Sequence, residues 1–388
     1  MTRPDLWHPA PRRIAVFRAL QLGDMLCAVP ALRALRRHCP QAHITLIGLE
    51  SVRPFVERFS AYIDELLLFP GIPAFPEQAA RPQALPAFYR ETQGRGFDLA
   101  LQMHGSGAQS LEIVRQLGAR AHAGFVPEAR MEEAGRLLPW PDDLPESRRY
   151  TALMRFLGVP VDDEALEMPL THSDRSEARS TARACGIDPA TTIFIHPGAR
   201  LQSRRWPVER YAEVARTLAG RGWRIAVTGS ASERALTATV AAAAGSAAVD
   251  LADRTSLGGL AALLAKAPLL ICNDTGVSHV AAGVRTPSVV IACGSDVARW
   301  APLDRARHAV LADHPPCRPC AHDICPVGHV CARNVSVQAV LQEVERQLAP
   351  GRPAARPADP RASGAHPAQP VPAARPFSDH TEAIPDHA

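Results

Sequence analysis

A glycine followed by an aspartate, just beyond an apolar run, offers a carboxylate where it can take up a proton. Gly23 and Asp24 stand in such a place, within Arg18-Ala19-Leu20-Gln21-Leu22-Gly23-Asp24-Met25-Leu26. Glycine lets the backbone turn tightly and approach a ligand. Asp24 serves either as the N-cap of the helix that follows or as a general base within reach of a hydroxyl. Arg18 is placed to hold an anionic acceptor, or else it is a surface arginine at a strand end. In a second constellation, Ile195-His196-Pro197-Gly198-Ala199 runs into a glycine loop and is followed by Ser203-Arg204-Arg205-Trp206-Pro207. Pro207 suits the first helical position. The guanidinium forks of Arg204 and Arg205 suit a diphosphate; the plainer reading makes Trp206 core and both arginines solvated.

The sharpest pattern is Cys272-Asn273-Asp274-Thr275-Gly276-Val277-Ser278-His279. An apolar run ends in a polar, glycine-containing turn that opens a helix. Backbone N–H groups and the positive helix end then face a ligand phosphate. Asp274 is anionic, so it is expected to orient those groups as a cap or to accept a sugar hydroxyl. The plainer alternative is a capped helix with a core histidine. Aspartic proteases also carry Asp-Thr-Gly, but they are β proteins, and this triplet follows an α/β strand. A fourth cluster, Cys317-Arg318-Pro319-Cys320 with Cys325 and Cys331, has the spacing of a four-thiolate zinc or iron site. Its expected role is structural, since four protein ligands leave no open position, and His314, His322 and His329 are nearby. Reduced cysteines packed as small hydrophobes are the alternative. His104-Gly105-Ser106-Gly107 is a weaker glycine loop, either an acceptor contact or a plain turn.

Positioning these groups needs strands that end in loops. Strand-like runs at 13–17, 43–48, 65–69 and 97–102 alternate with helical periodicity at 22–38, 52–59 and 87–93. Residues 140–173, rich in proline and acidic side chains with one helical stretch at 147–157, read as the crossing between domains. Alternation then restarts, with strands at 192–196, 224–228, 269–272 and 288–292 and helices at 208–219 and 256–265. Such alternation implies an α/β fold of parallel sheets covered on both faces. Ligands in these sheets sit at the carboxyl ends of the strands. The expected domains are 1–165 and 174–348. A tail at 350–388, dominated by Pro, Ala, Arg, Ser and His, cannot bury enough apolar area to offset chain entropy and is expected to be disordered.

Composition narrows the class. The chain has 388 residues, 46% of them hydrophobic, and a formal charge of +4, too long for one ordinary core. The cationic side is almost all arginine, with Lys266 the only lysine. No basic block is interleaved with aromatics, which argues against nucleic acid. No run of 18 apolar residues exists, so no transmembrane segment is expected. The first thirteen residues lack the apolar core of a secretory signal. Nine cysteines, an odd number, point to a reducing compartment. A cytoplasmic protein is expected.

Together these residues resemble the ADP-heptose:lipopolysaccharide heptosyltransferases, glycosyltransferase family 9, over about residues 13–348. The strongest parts are Leu22-Gly23-Asp24 followed by Pro30-Ala31-Leu32, and Asp274-Thr275-Gly276-Val277-Ser278-His279. The resemblance implies a GT-B fold, two Rossmann-like αβα domains facing a central cleft. It implies Asp24 as catalytic base and Arg18 as a basic acceptor contact; Gly23, His104 and Gly105 are read beside them, from their own loops, as acceptor-side. It implies Arg204, Glu233, Thr255, Asp274, Thr275, Gly276 and His279 on the donor, and the loop residues His196, Gly198 and Arg205 are read with them. Arg204 stands where the family usually has a lysine. The implied reaction is inverting transfer of heptose from ADP-heptose to a lipopolysaccharide inner-core or lipid-linked acceptor. It needs no cofactor and takes place in the cytoplasm, with peripheral contact at the inner membrane. The cysteine cluster also looks like one found in relatives, iron-associated in the branch that glycosylates autotransporters. Three rivals stay open: another sugar or acceptor on the same fold, a GT-B nucleotide-sugar epimerase, and a metal-stapled scaffold.

Overall fold

Each short apolar run becomes a strand in the computed structural model, which describes residues 6–128 and 135–349. The first half builds β1 (Arg13–Phe17), α1 (Leu22–His38), β2 (His43–Gly48), α2 (Arg53–Arg58), β3 (Glu65–Leu68), α3 (Leu85–Gly94) and β4 (Leu99–Gln102). It continues with α4 (Ser110–Gln116), β5 (Ala121–Val126), β6 (Leu137–Pro139) and α5 (Glu146–Phe156). The second half builds α6 (His172–Ala184), β7 (Thr192–His196), α7 (Val208–Gly220), β8 (Arg224–Val227), α8 (Arg234–Ala244) and β9 (Ala248–Asp250). It closes with α9 (Leu257–Leu264), β10 (Leu270–Asn273), α10 (Gly276–Gly283), β11 (Ser288–Ile291), α11 (Val297–Trp300), β12 (His308–Leu311), α12 (Val330–Arg333) and α13 (Val337–Leu348).

The strands form two six-stranded parallel sheets, ordered β3-β2-β1-β4-β5-β6 and β12-β11-β10-β7-β8-β9. Taken from its other end, the second order is the first one repeated. Each sheet reverses its winding beside its first strand, between β1 and β4 and again between β7 and β10. Loops leaving either side of such a reversal diverge and open a crevice. This is the GT-B arrangement.

Alternation along β1 shows why the strands are apolar throughout. Ile14 and Val16 enter one core cluster, and Ala15 and Phe17 the opposite one. A parallel strand covered on both faces has no side to give to water. The largest cluster runs from the first sheet through α1 and α5 to α10 and the second sheet, taking in Met25, Tyr150, Val277, Val280, Phe194 and Leu270. The two sheets thus share buried apolar surface where α1 and α10 meet.

An ion pair adds to this junction. Arg58 on α2 reaches Asp174 in the first turn of α6, at 2.5 and 3.0 Å. Asp174 also accepts from the Thr171 backbone N–H at 2.7 Å in a capping box. The Arg58 hydrogen bonds hold the Asp174 carboxyl down at about 2, from 3.8. A depressed carboxyl contributes stability that is present above its unfolded value and lost as pH falls through its folded one. Asp174→Asn is therefore expected to cost about 2 kcal/mol at pH 7 and almost nothing near pH 2. Urea unfolding at both pH values checks this. A loss of equal size at both would remove the ion pair as its cause.

Three local expectations need correction. Asp24 is the third residue of α1, and its N-cap is Gln21. Pro207 is the N-cap of α7, not its first residue. The cap position of α10 belongs to Thr275, not Asp274. Among the described residues no helix is long and apolar enough to cross a membrane. The expected tail at 350–388 lies outside the described residues.

Candidate functional site

Both sheet reversals send a loop to the same point. α1 starts after β1, α10 starts after β10, and their first turns touch. A Cβ built on Gly23 would stand 3.2 Å from Gly276 Cα and 3.8 Å from His279 Cδ2. Only glycine at position 23 allows this approach without moving the partner backbone. Neither Gln21 nor Thr275 makes a side-chain cap bond. Two positive helix ends with uncapped N–H groups therefore converge on one place, which favours negative charge.

Asp24 lies half-buried in this junction, and among the described residues no hydrogen bond reaches its carboxylate. Burial raises its pKa, Glu146 adds to the rise, and Arg18, His279 and Arg299 oppose it. The net effect is a carboxylate more basic than usual, which suits a proton acceptor. Arg18, expected as an acceptor contact, is instead completely buried. Its guanidinium donates to Met103 O at 2.6 Å and to Asp24 O at 2.5 Å, and lies 4.1 Å from the Tyr150 ring centroid. It fixes the start of α1 from beneath.

Glu146, at the start of α5, lies in a segment whose composition reads as a linker and gives no sign of a site. It is 2% exposed, accepts from the Tyr150 hydroxyl, and pairs with Arg299 Nε of the second half at 2.8 Å. Burial disfavours its charge, but Arg299, Arg18 and the Tyr150 hydroxyl together hold its pKa below the ordinary value. Glu146 thus stays ionised and keeps Asp24 basic. His279 is buried, and the Asp274, Asp24 and Glu146 carboxylates act on it. Burial lowers its pKa against the pull of those carboxylates, and its Nδ1 has no hydrogen-bond partner among the described residues.

The donor-side residues gather on the carboxyl edge of the second sheet. Asn273, fully buried at the end of β10, joins two of the motifs. Its Oδ1 accepts from the Trp206 N–H and the Tyr211 hydroxyl, both at 2.9 Å, and its Nδ2 donates to Pro197 O and Gly198 O at 2.8 and 3.1 Å. Nothing in residue order within the 272–279 motif marks Asn273 for this task. Gly198 is packed against Glu233; a Cβ there would lie 2.0 Å from Glu233 Oε1. Glu233 Oε2 accepts from the Ser230 N–H and hydroxyl, both at 2.8 Å. His196 pairs with Thr228 Oγ1 at 3.0 Å, and burial lowers its pKa against the Glu233 charge. Thr255 stands beyond β9, in a loop tied to the β8 loop by Asp253 N–H to Gly229 O at 2.9 Å. Arg205 donates to Ala199 O at 2.8 Å, and Arg204 to Cys320 O at 2.6 Å.

On the first sheet, His104 and Gly105 line a cavity of about 240 Å³ together with Phe75, Glu77 and Ser106. His104 Nδ1 accepts from the Ala19 N–H at 3.2 Å, and its ring stacks on Phe75 at 4.1 Å. Burial, with Arg18 adding, takes its pKa down to about 3, so it is neutral at physiological pH. The buried Gln102 side chain anchors this loop through His104 O, Ser110 Oγ and the Phe125 N–H.

The four-thiolate site expected from Cys317, Cys320, Cys325 and Cys331 is not formed. Among the described residues no group of three or more His, Cys, Asp or Glu side chains is arranged to hold a metal. Cys317 is exposed and Cys331 buried, and Cys325 Sγ accepts from the His329 N–H at 3.2 Å. The loop is stapled by hydrogen bonds to backbone carbonyls instead. Ser203 N–H reaches Asp323 O at 2.8 Å, Cys320 N–H reaches Gly294 O at 2.9 Å, and His329 Nε2 pairs with Ser203 O at 2.9 Å. CxxC spacing cannot distinguish the two ways of fastening a loop.

Residues 86–331, more than half of the chain, match the family model of glycosyltransferase family 9 (heptosyltransferase). The chain belongs to glycosyltransferase family 9. It is 30% identical to lipopolysaccharide heptosyltransferase 1 of Pseudomonas aeruginosa over 165 residues, 42% of this chain and 45% of that one. The match thus spans less than half of that relative's length. With lipopolysaccharide heptosyltransferase 2 of Salmonella typhimurium it shares 26% identity over 72% of this chain and 82% of the relative. The solved structure of E. coli ADP-heptose lps heptosyltransferase II superposes with a TM-score of 0.67 at 21% identity, covering 87% of this chain and 98% of that one. That likeness concerns the fold. Within this family-9 chain, Glu146, Tyr150 and Arg299 stand at the crevice without any motif to mark them. Gly294-Ser295-Asp296 follows β11 as a glycine loop follows β7 and β10.

Proposed function

We propose that this family-9 chain transfers a heptose from ADP-heptose to a lipopolysaccharide core acceptor with inversion at the anomeric carbon. The observation that carries the reading is the contact of the α1 and α10 starts, which brings Asp24 and the 274–279 turn to one crevice. The acceptor hydroxyl attacks the anomeric carbon, Asp24 takes its proton, and the bond to ADP breaks with its electron pair leaving on the diphosphate. Arg204 and the amides at the α10 start meet that developing charge. Glu233 Oε1, left over by the Ser230 cap, suits a ribose hydroxyl, with Thr255 beyond it toward the adenine. The first half, with the cavity at His104 and Gly105, is the acceptor side. The acceptor's lipid places the reaction at the cytoplasmic face of a membrane. Residues 140–173 supply the hinge between the two halves.

The test is a thermal-shift comparison of ADP-heptose with UDP- and GDP-sugars, followed by intact-mass detection of transfer onto truncated core lipids. At 100 times its Kd the true donor stabilises the fold by about 2.7 kcal/mol. Stabilisation by a UDP- or GDP-sugar alone would overturn the donor. An epimer formed from donor with no acceptor present would overturn transfer.

A further inference from the structure

Three buried polar atoms of the loops after β7, β11 and β12 lack a hydrogen-bond partner among the described residues: Arg204 Nη1, Arg318 Nη2 and Ser295 Oγ. Ser295 is itself only 4% exposed. The remaining bonds of both arginines hold their guanidinium groups in place. Arg204 gives its other terminal nitrogen to Cys320 O at 2.6 Å. Arg318 gives Nε to Ser295 O at 2.7 Å and Nη1 to Asp313 O at 2.6 Å. Because Cys320 N–H also reaches Gly294 O at 2.9 Å, the 294–295 and 318–320 segments are tied together. Arg204 is bonded to the pair of segments from one side, and Arg318 bridges them.

The two guanidiniums are close enough for the Arg204 charge to act on Arg318. Burial lowers the pKa of Arg318; Cys331, Cys293 and Asp274 oppose this, and the Arg204 charge adds to it. One carboxylate leaves excess positive charge beside donors already stripped of water. A planar fork with unspent N–H groups is suited to phosphate oxygens.

We propose that Arg318 and Ser295, from the cysteine-bearing loop and the β11 loop, join Arg204 in a clamp for the diphosphate of the donor. This rests on the nucleotide-sugar reading above and adds two residues from outside its motifs. It also gives the cysteine-bearing loop a task, since its peptide staples hold the Arg318 fork in place.

Calorimetric titration of the full chain with ADP, UDP, GDP and inorganic pyrophosphate tests the clamp in wild type, Arg318→Gln and Ser295→Ala. Loss of one charge-assisted hydrogen bond should weaken the bound diphosphate by about 10- to 100-fold in Arg318→Gln, and loss of a neutral one by about 2- to 10-fold in Ser295→Ala. Should Arg318→Gln fail to fold, Ser295→Ala decides alone, because it removes only an unpartnered hydroxyl. Unchanged ADP affinity in the folded variants overturns the clamp and leaves the ADP-heptose reading standing. Arg318-dependent binding of UDP or GDP, with no binding of ADP, supports the clamp and removes the ADP donor. Wild type that binds none of the four overturns both.

Discussion

Asp24→Ala lowers the turnover of sugar transfer by at least about 100-fold while leaving donor affinity nearly unchanged. General-base assistance contributes about 10²–10⁴-fold, and Asp24 is the carboxylate at the contact of the two helix starts. The variant should fold at least as well as wild type. A buried acid with a raised pKa costs stability while ionised, a cost relieved as pH falls through the folded pKa; removing the carboxylate relieves it at every pH. Activity of the wild type should fall on the acid side at a pH above the ordinary carboxylate range, because the base must be ionised and burial raises its pKa. Glu146→Gln should move that acid limb to lower pH, since the Glu146 charge contributes to the rise. Kinetics over a pH series, beside a melting curve, read both effects. Wild-type-like turnover in Asp24→Ala would exclude the base role.

Asn273→Ala is expected to cost about 3–5 kcal/mol, the largest stability loss foreseen for a polar site. A buried hydrogen-bonding group left without its partner costs about 1–3 kcal/mol, and a connected buried network behaves as more than isolated pairs. The substitution strands the Trp206 N–H, the Tyr211 hydroxyl and the carbonyls of Pro197 and Gly198 together. Those groups flank Arg204, Arg205 and the Gly198–Glu233 contact, so surviving folded protein should also bind ADP more weakly. Asn273→Asp keeps the acceptor and loses the donor to both carbonyls, and should fall between. Urea midpoints with ADP titrations measure the series. Near-wild-type stability in Asn273→Ala would show that the network is not what holds the loops.

Period and apolar runs were enough to read the elements around the site. α1 was legible because Leu26, Val29, Leu32 and Leu35 recur on one face, and β1, β2 and β7 because each is a short apolar run. Strands β5, β6 and β9 were not legible. β5 carries Ala121, His122 and Gly124, and β6 and β9 have three residues each, too few to show a pattern. α8 is alanine-rich, RALTATVAAAA, and has no clear apolar stripe. The metal expectation failed because CxxC spacing does not say which way a thiol points.

What the residue order determined alone was local. It set where strands end, where glycine lets backbone come close, and which carboxylates and guanidiniums follow those ends. Which groups act on one another was decided only by the tertiary structure. Glu146 and Arg299 are 153 residues apart, and no spacing rule links them. They become partners because α5 packs against α1 and α1 meets α10, which brings the α5 start to α11. Burial there changes what each group is: Arg18 becomes a support beneath Asp24, His104 a neutral wall, and Asp24 a stronger base than its type suggests.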